Sequence, residues 1–251
     1  MILDGHVHVS DTPYGNVDVL LAQLDQAGID RALCVPGGMI DVRQFSRIFS
    51  GKYRPEQRIP NHLVFEAIER HADRLYGLVC INPNDGPQAM AMLKEGFQRG
   101  CRGVKLAPIV HRFEFSAPVL EQVAHCCAEQ GFPIYSHVLP NPGQTTADFA
   151  ALARRFPNTA FILGHMGFGP ADADAVDLAA ELENLYLESS LGNYLMLREA
   201  LERLGPTKLI FGSEFPLSHP KAELEKIRLL SAAAQPAILG ANLLRMLQVN
   251  S

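Results

Sequence analysis

Eight short apolar runs recur along the chain: ILDGHVH, ALCVPGG, LYGLVCINP, GVKLAP, PIYSHVLP, AFILGHMG, LYLESS and LIFGSEFP, most of them closing on Gly, Pro, Ser or His. Each is apolar without strict alternation, the pattern of a strand buried on both faces, as parallel strands are. Amphipathic stretches lie between them, and their boundaries can be named: Asn16 as N-cap with Gly28 past the end, Ser116 with Gly131, and Asn193 with Gly205. Strands alternating with helices predict repeated β-α units on a parallel sheet. In 251 residues, with no composition shift to mark a linker, that rhythm fits a single domain, a closed (β/α)8 TIM barrel over residues 1–251. An open doubly wound sheet is the alternative. Its commonest use needs a phosphate-binding glycine loop after the first strand, and GHVHVS is not one.

The rhythm breaks once. About twenty residues, Ile40 to Pro60, separate the second strand from a helix predicted to start near Asn61, and a loop of that length is usually functional. It leaves the carboxyl side of a strand, where barrel enzymes build their sites. It holds Arg43, Arg47, Lys52, Arg54 and Arg58 against Asp41 and Glu56. Two readings stand: a basic lid over an anionic substrate, or a solvated loop or subunit contact.

Composition narrows the partners. Hydrophobic residues at 47% and charged residues at 20% are the usage of a globular protein. A net charge of −5 gives no general attraction to nucleic acid or an anionic membrane, which leaves a small-molecule substrate as the expected partner. Assembly into a homo-oligomer stays open. The five cysteines lack C-x-x-C spacing and read as small buried hydrophobes. Residues 1–10 carry no basic n-region and no apolar run reaches the length of a membrane span, so a cytoplasmic protein is expected.

The candidate chemistry gathers at strand ends. His6 and His8 are two apart on the first strand, so both point to one face, and near the carboxyl end that face is the barrel mouth. Alone, a His-x-His pair says little. His137 ends the fifth strand and His165 the sixth, which brings four of the nine histidines to the same mouth, and Glu214 ends the eighth strand beside the first. Neutral imidazoles with a carboxylate make a site for one divalent metal, Zn2+ first, with Mn2+, Fe2+ or Co2+ as alternatives. His111 and Arg112 follow the fourth strand and Ser189 and Ser190 the seventh, all placed to bind substrate, with loop or turn-capping roles as the alternative. Glu188 faces either the mouth or the outer layer. His62, His71, His125 and His219 read as surface or helix residues.

Asp-Gly-His-Val-His, Gly-Val-Lys-Leu, Ser-His, Gly-His-Met-Gly and Phe-Gly-Ser-Glu-Phe-Pro, in this order over nearly the whole chain, resemble the amidohydrolase superfamily. The closest branch is the amidohydrolase-2 group of metal-dependent hydrolases and decarboxylases, and the final helix from Ile238 is similar to that branch's closing segment. The resemblance implies metal ligation by His6, His8 and His137, and substrate orientation, protonation or a second metal at His165. It implies a metal-binding proton shuttle at the position of Glu214, where the family has aspartate. The extra methylene leaves open whether Glu214 ligates directly or through water. Binuclear relatives carry a carbamylated lysine on the fourth strand, the place of Lys105; one metal, with Lys105 binding a substrate carboxylate or pairing with Glu188, is the expected arrangement here.

These readings converge on a hydrolase that turns a metal-activated water on a small, carboxylate-bearing ester, lactone or amide, with Glu214 and His165 as catalytic residues. Lys105, His111, Arg112 and Ser190 are its expected substrate-binding residues. Decarboxylation of a small carboxylic acid by the same shell is the alternative. A metal-free lactonase or a non-catalytic binding barrel is a third reading, raised by the glutamate at position 214.

Overall fold

The computed structural model describes residues 1–169 and 171–249. In chain order it contains β1 (Leu3–Val9), α1 (Val17–Ala27), β2 (Arg31–Pro36), α2 (Phe45–Phe49), α3 (Asn61–Arg70), β3 (Leu75–Gly77), β4 (Val79–Ile81) and α4 (Pro87–Gln98). Then come β5 (Val104–Leu106), α5 (Pro108–His111), α6 (Val119–Gln130), β6 (Ile134–Ser136), α7 (Thr146–Arg155), β7 (Phe161–Leu163) and α8 (Ala173–Glu181). The chain finishes with β8 (Leu185–Glu188), α9 (Tyr194–Leu204), β9 (Leu209–Ile210), α10 (Pro220–Arg228) and, after a π-helical turn, α11 (Asn242–Met246).

Parallel ladders run β1-β2-β3 and β4-β5-β6-β7-β8-β9. β3 and β4 are one predicted run interrupted at Leu78, whose N–H still reaches Cys34 O of β2 at 2.9 Å. At the other seam Gly5 N–H donates to Phe211 O (2.8 Å), Glu214 N–H to His6 O (2.7 Å) and His8 N–H to Phe215 O (2.8 Å). Backbone hydrogen bonds therefore cross both gaps between the ladders, and the fold is a (β/α)8 barrel. Gly5 allows the tight seam, because a Cβ there would lie 2.8 Å from Phe211 O.

Strand residues alternate between two cores. Val79, Ile81, Val104, Leu106, Phe161 and Leu163 face the helices, while Leu33, Val35, Tyr135 and Ile162 fill the lower barrel. Leu243, Leu244 and Leu247 of the C-terminal segment plug that lower end, each fully buried leucine contributing about 1.5–3 kcal/mol of transfer free energy. The caps follow the expected residues at α1 and α9, where Asn16 and Asn193 accept from Val19 N–H and Met196 N–H and Gly28 and Gly205 terminate. At α6 the end at Gly131 stands but the start moves: Ser116 bonds Glu114 Oε2 in the preceding turn, and Pro118, with φ −58°, begins the helix. Among the described residues no helix is long and apolar enough to cross a membrane.

The segment between β2 and α3 is ordered as a 3-10 turn (Val42–Gln44) followed by α2. Ile40, Phe45, Ile48 and Ile59 pack on Met39, Ile109, Val110 and Leu139 above the barrel. Arg43, Arg47, Lys52, Arg54 and Arg58 are all exposed, and Arg43 is tied to Asp41 at 2.9 Å. The expectation of basic side chains over the mouth is therefore corrected: the segment is amphipathic, and it turns its charges to water and its hydrophobes to the barrel mouth.

Candidate active site

The carboxyl mouth holds the histidine cluster. His6 is fully buried, with Nδ1 2.7 Å from Glu214 Oε2, 2.6 Å from Tyr135 Oη and 3.5 Å from Glu188 Oε2, and with Nε2 3.3 Å from Lys105 Nζ. His8 lies beside it, ring centroids 4.9 Å apart. Its Nδ1 sits 3.3 Å from Pro36 O, which makes that nitrogen the donor and turns the Nε2 lone pair toward Glu214 Oε1, also at 3.3 Å. Two lone pairs facing each other require a cation near them, a proton or a metal ion.

Glu214 and His165 share a backbone peculiarity. Both adopt left-handed φ, 59° and 61°, uncommon for side chains with a Cβ, and each is held there by its own N–H. Glu214 N–H donates to His6 O, and His165 N–H to Glu188 Oε2 at 3.2 Å. The second carboxylate oxygen of Glu214 is buried without an aligned hydrogen-bond donor, its approach to His6 being an off-axis ion contact. Burial opposes ionisation of Glu214, but His6, His8 and His165 outweigh it and hold the carboxyl well below the usual range.

Glu188 forms the layer beneath. It is fully buried and accepts from Tyr135 Oη (2.8 Å), His165 N–H, Ser190 N–H (2.5 Å) and Ser190 Oγ (2.8 Å). Burial would raise its pKa, yet neighbouring His6 and His165 and the Ser190 N–H bring it down to about 2. Because the Ser190 hydroxyl donates to Glu188, it accepts from His165 Nδ1 at 2.9 Å. The neutral ring of His165 then presents its Nε2 lone pair 3.9 Å from Glu214 Oε2. The chain Glu188–Ser190–His165 fixes the tautomer of the outermost imidazole.

Lys105 lies 3.9 Å from the Tyr135 ring centroid as well as against His6, and burial lowers its pKa to about 8 despite Glu214 and Glu188. His137 lines the cavity, but its Nε2 is 3.3 Å from Ile109 N–H, and burial first, then Lys105, keep it neutral. Among the described residues the compact groups able to hold a metal are His6, His8 and Glu214, and His6, His165 and Glu188; His137 stands outside both. The unpaired oxygen of Glu214 and the facing lone pair of His8 fit a divalent cation.

Ser190 sits under His165, away from the cavity lining, so the structure gives it a positioning place instead of substrate contact. Arg112 is exposed and His111 buried, and neither lines the cavity. Among the described residues His111 has no hydrogen-bond partner on either ring nitrogen, and burial pushes its pKa down to about 4. The folded state thus refuses a proton that the unfolded chain accepts near pH 6.5; this contribution is fully present above pH 6.5, and about 3 kcal/mol is lost as pH falls toward 4. His111→Leu is expected to flatten that slope and to add about 1–2 kcal/mol at neutral pH by removing an unsatisfied group. Urea unfolding of both proteins at pH 7.5 and 4.5 reads both effects, and parallel pH profiles would contradict them.

Glu188, expected at either the mouth or the outer layer, lies beneath the mouth cluster, whereas Tyr135 had no expected role at the site. For Tyr135 a signal was present, since it lies two residues before His137 on the same strand face.

A parallel barrel with imidazoles and carboxylates converging on one mouth defines a class of hydrolytic and lyase enzymes, and the family comparison agrees. The chain matches the family model described as Amidohydrolase over residues 3–249 and belongs to that family, the amidohydrolase-2 group. No curated protein matches the chain. Among solved structures it resembles a TIM-barrel protein of Bordetella bronchiseptica (TM-score 0.78, 17% identity, 98% of each chain). It also resembles a dihydroxybenzoic acid decarboxylase of Polaromonas with bound manganese (TM-score 0.72, 16% identity, 100% of this chain and 97% of the other). A third likeness is to a probable 2-pyrone-4,6-dicarboxylic acid hydrolase of Acinetobacter baumannii (TM-score 0.69, 15% identity, 98% of this chain and 99% of the other). At these identities the likeness is one of fold.

Proposed function

We propose that the protein is a hydrolase dependent on one divalent metal, zinc first, that adds water to the acyl carbon of a small ester, lactone or amide. The observation that carries this reading is Glu214 Oε2, buried and without an aligned donor among the described residues, in a carboxylate set beside His6, His8 and His165. His6, His8 and Glu214 would hold the metal, with His137 lining the same cavity. A divalent ion there supplies Lewis acidity, lowering the pKa of water and polarising a carbonyl. Glu214 accepts the proton of the attacking water and returns it to the leaving group. His165, steadied by Ser190 and Glu188, faces the reacting carbonyl and stabilises its developing charge. With the charges of the lid turned to water, the only ammonium or guanidinium lining the cavity among the described residues is that of Lys105, already against His6, so one substrate carboxylate is the most the site would serve.

Decarboxylation is favoured by a different observation, the apolar enclosure above the cluster, because a carboxylate brought into it loses solvation that carbon dioxide does not need. Product analysis separates the two: hydrolysis carries solvent oxygen into a new carboxylate, and decarboxylation releases carbon dioxide.

Elemental mass spectrometry on untagged protein never exposed to chelator is expected to find about one metal per chain, lost in a His6→Ala/His8→Ala double variant. No metal after incubation with zinc, manganese or iron would overturn the reading and leave a metal-free lactonase or a binding barrel.

A further inference from the structure

The cavity over the cluster has a volume of about 390 Å³ and two unlike ends. Its base carries His8, His137, His165, Glu214 and Lys105. The rest of its lining is mostly hydrocarbon, with Ile40, Val42, Phe45 and Phe49 of the lid and Ile109 and Leu139 beside them, and its other polar side chains are the hydroxyls of Ser10, Thr12 and Tyr14. Phe45 and Phe49 form an edge-to-face pair, centroids 5.6 Å apart, and Phe49 stays 56% exposed although it lines the cavity. Among the described residues Lys105 is the only lysine or arginine lining this space, and it is committed to His6 and the Tyr135 ring. Arg43, the lid cation nearest in sequence to these hydrophobes, is bound to Asp41 and lies over the Tyr14 ring at 4.9 Å.

We infer that the substrate is amphiphilic: one polar reacting head at the cluster, and an apolar body of several carbons packed beneath Phe45 and Phe49. This rests on the proposed function for the position of the head group and deepens it by naming the substrate class. A second carboxylate at the far end would be desolvated against Ile40, Val42, Phe45 and Phe49 with no cation to meet it, so dianionic substrates are rejected there. Each methylene moved from water into that wall instead adds to affinity. The lid is thereby a specificity element. Its amphipathic spacing, Val42, Phe45 and Phe49, lays three hydrophobes over the mouth while its arginines face solvent.

The test is a calorimetric titration of zinc-loaded protein with four probes: butyrate, octanoate, octanedioate and 1-octanol. Octanoate is expected to bind at least tenfold more tightly than butyrate, and octanedioate no better than butyrate. The octanoate gain is expected to fall severalfold in Phe49→Ser, an exposed position that the fold tolerates, and to vanish in Phe45→Ser/Phe49→Ser, with butyrate affinity unchanged in both. Octanedioate binding as tightly as octanoate, a gain that survives both lid variants, or no binding by any probe overturns the inference. Binding of 1-octanol that the lid variants weaken, with no binding of either monocarboxylate, upholds the apolar compartment and overturns the metal-centred reading of the base.

Discussion

Glu214→Gln is expected to lower kcat by about three orders of magnitude while leaving the barrel folded. The amide keeps one oxygen and the side chain's length but cannot take a proton from water. Its N–H2 group can donate to the lone pair of His8, the place a cation otherwise fills, so metal per chain is expected to fall together with turnover. His165→Asn removes the charge-stabilising imidazole and leaves the base in place; because His165 stands outside the group of His6, His8 and Glu214, this variant should spare the metal. Stopped turnover with full metal occupancy in Glu214→Gln would make this residue a base and not a ligand; near-parental turnover would remove it from the mechanism.

The legible part of this molecule was the part written in strand ends. His6, His8 and Glu214 could be placed because a residue closing a parallel strand of a barrel faces the mouth, whatever its neighbours do. His111 broke that inference. It follows β5 by five residues, but the single turn of α5 folds it back into the core, and no periodicity in the sequence distinguishes a turn that tucks inward from one that opens outward. The lid was misread for a related reason. Five cations in twenty residues are conspicuous as composition, whereas their direction depends on the hydrophobes at positions 42, 45 and 49, whose helical spacing was the better signal. Tyr135 stayed hidden, and Glu188 stayed between the mouth and the outer layer, because an apolar run does not fix the partners of its polar members; their roles exist only once β6, β7 and β8 lie in register and β1 closes against β9.

The layer below the cluster carries the second large effect. Glu188→Gln is expected to destabilise the fold by about 3–5 kcal/mol, a fall in melting temperature of roughly 10 °C for a chain of this size. All the polar groups bonded to Glu188 are donors, three on one oxygen and Ser190 N–H on the other. In either orientation an amide nitrogen meets at least one of those donors, and the buried site offers no acceptor in exchange. Nor can the side chain retreat, because it is packed against Gly212, where even a Cβ would stand 2.2 Å from Glu188 Oε1 and 3.0 Å from His6 Cβ. The pH dependence identifies the cause. With a folded pKa of about 2 against an ordinary 4.5, Glu188 contributes fully above pH 4.5, and about 3 kcal/mol is lost as pH falls from there toward 2. That window lies below the one set by His111, so unfolding free energies at pH 7.5, 4.5 and 3 separate the two groups. Glu188→Gln should erase the lower step and keep the upper, while Ser190→Ala, which removes one donor and leaves the charge, should keep both and lower only catalysis by freeing the His165 ring. A lower step that persists in Glu188→Gln would assign it to another carboxylate.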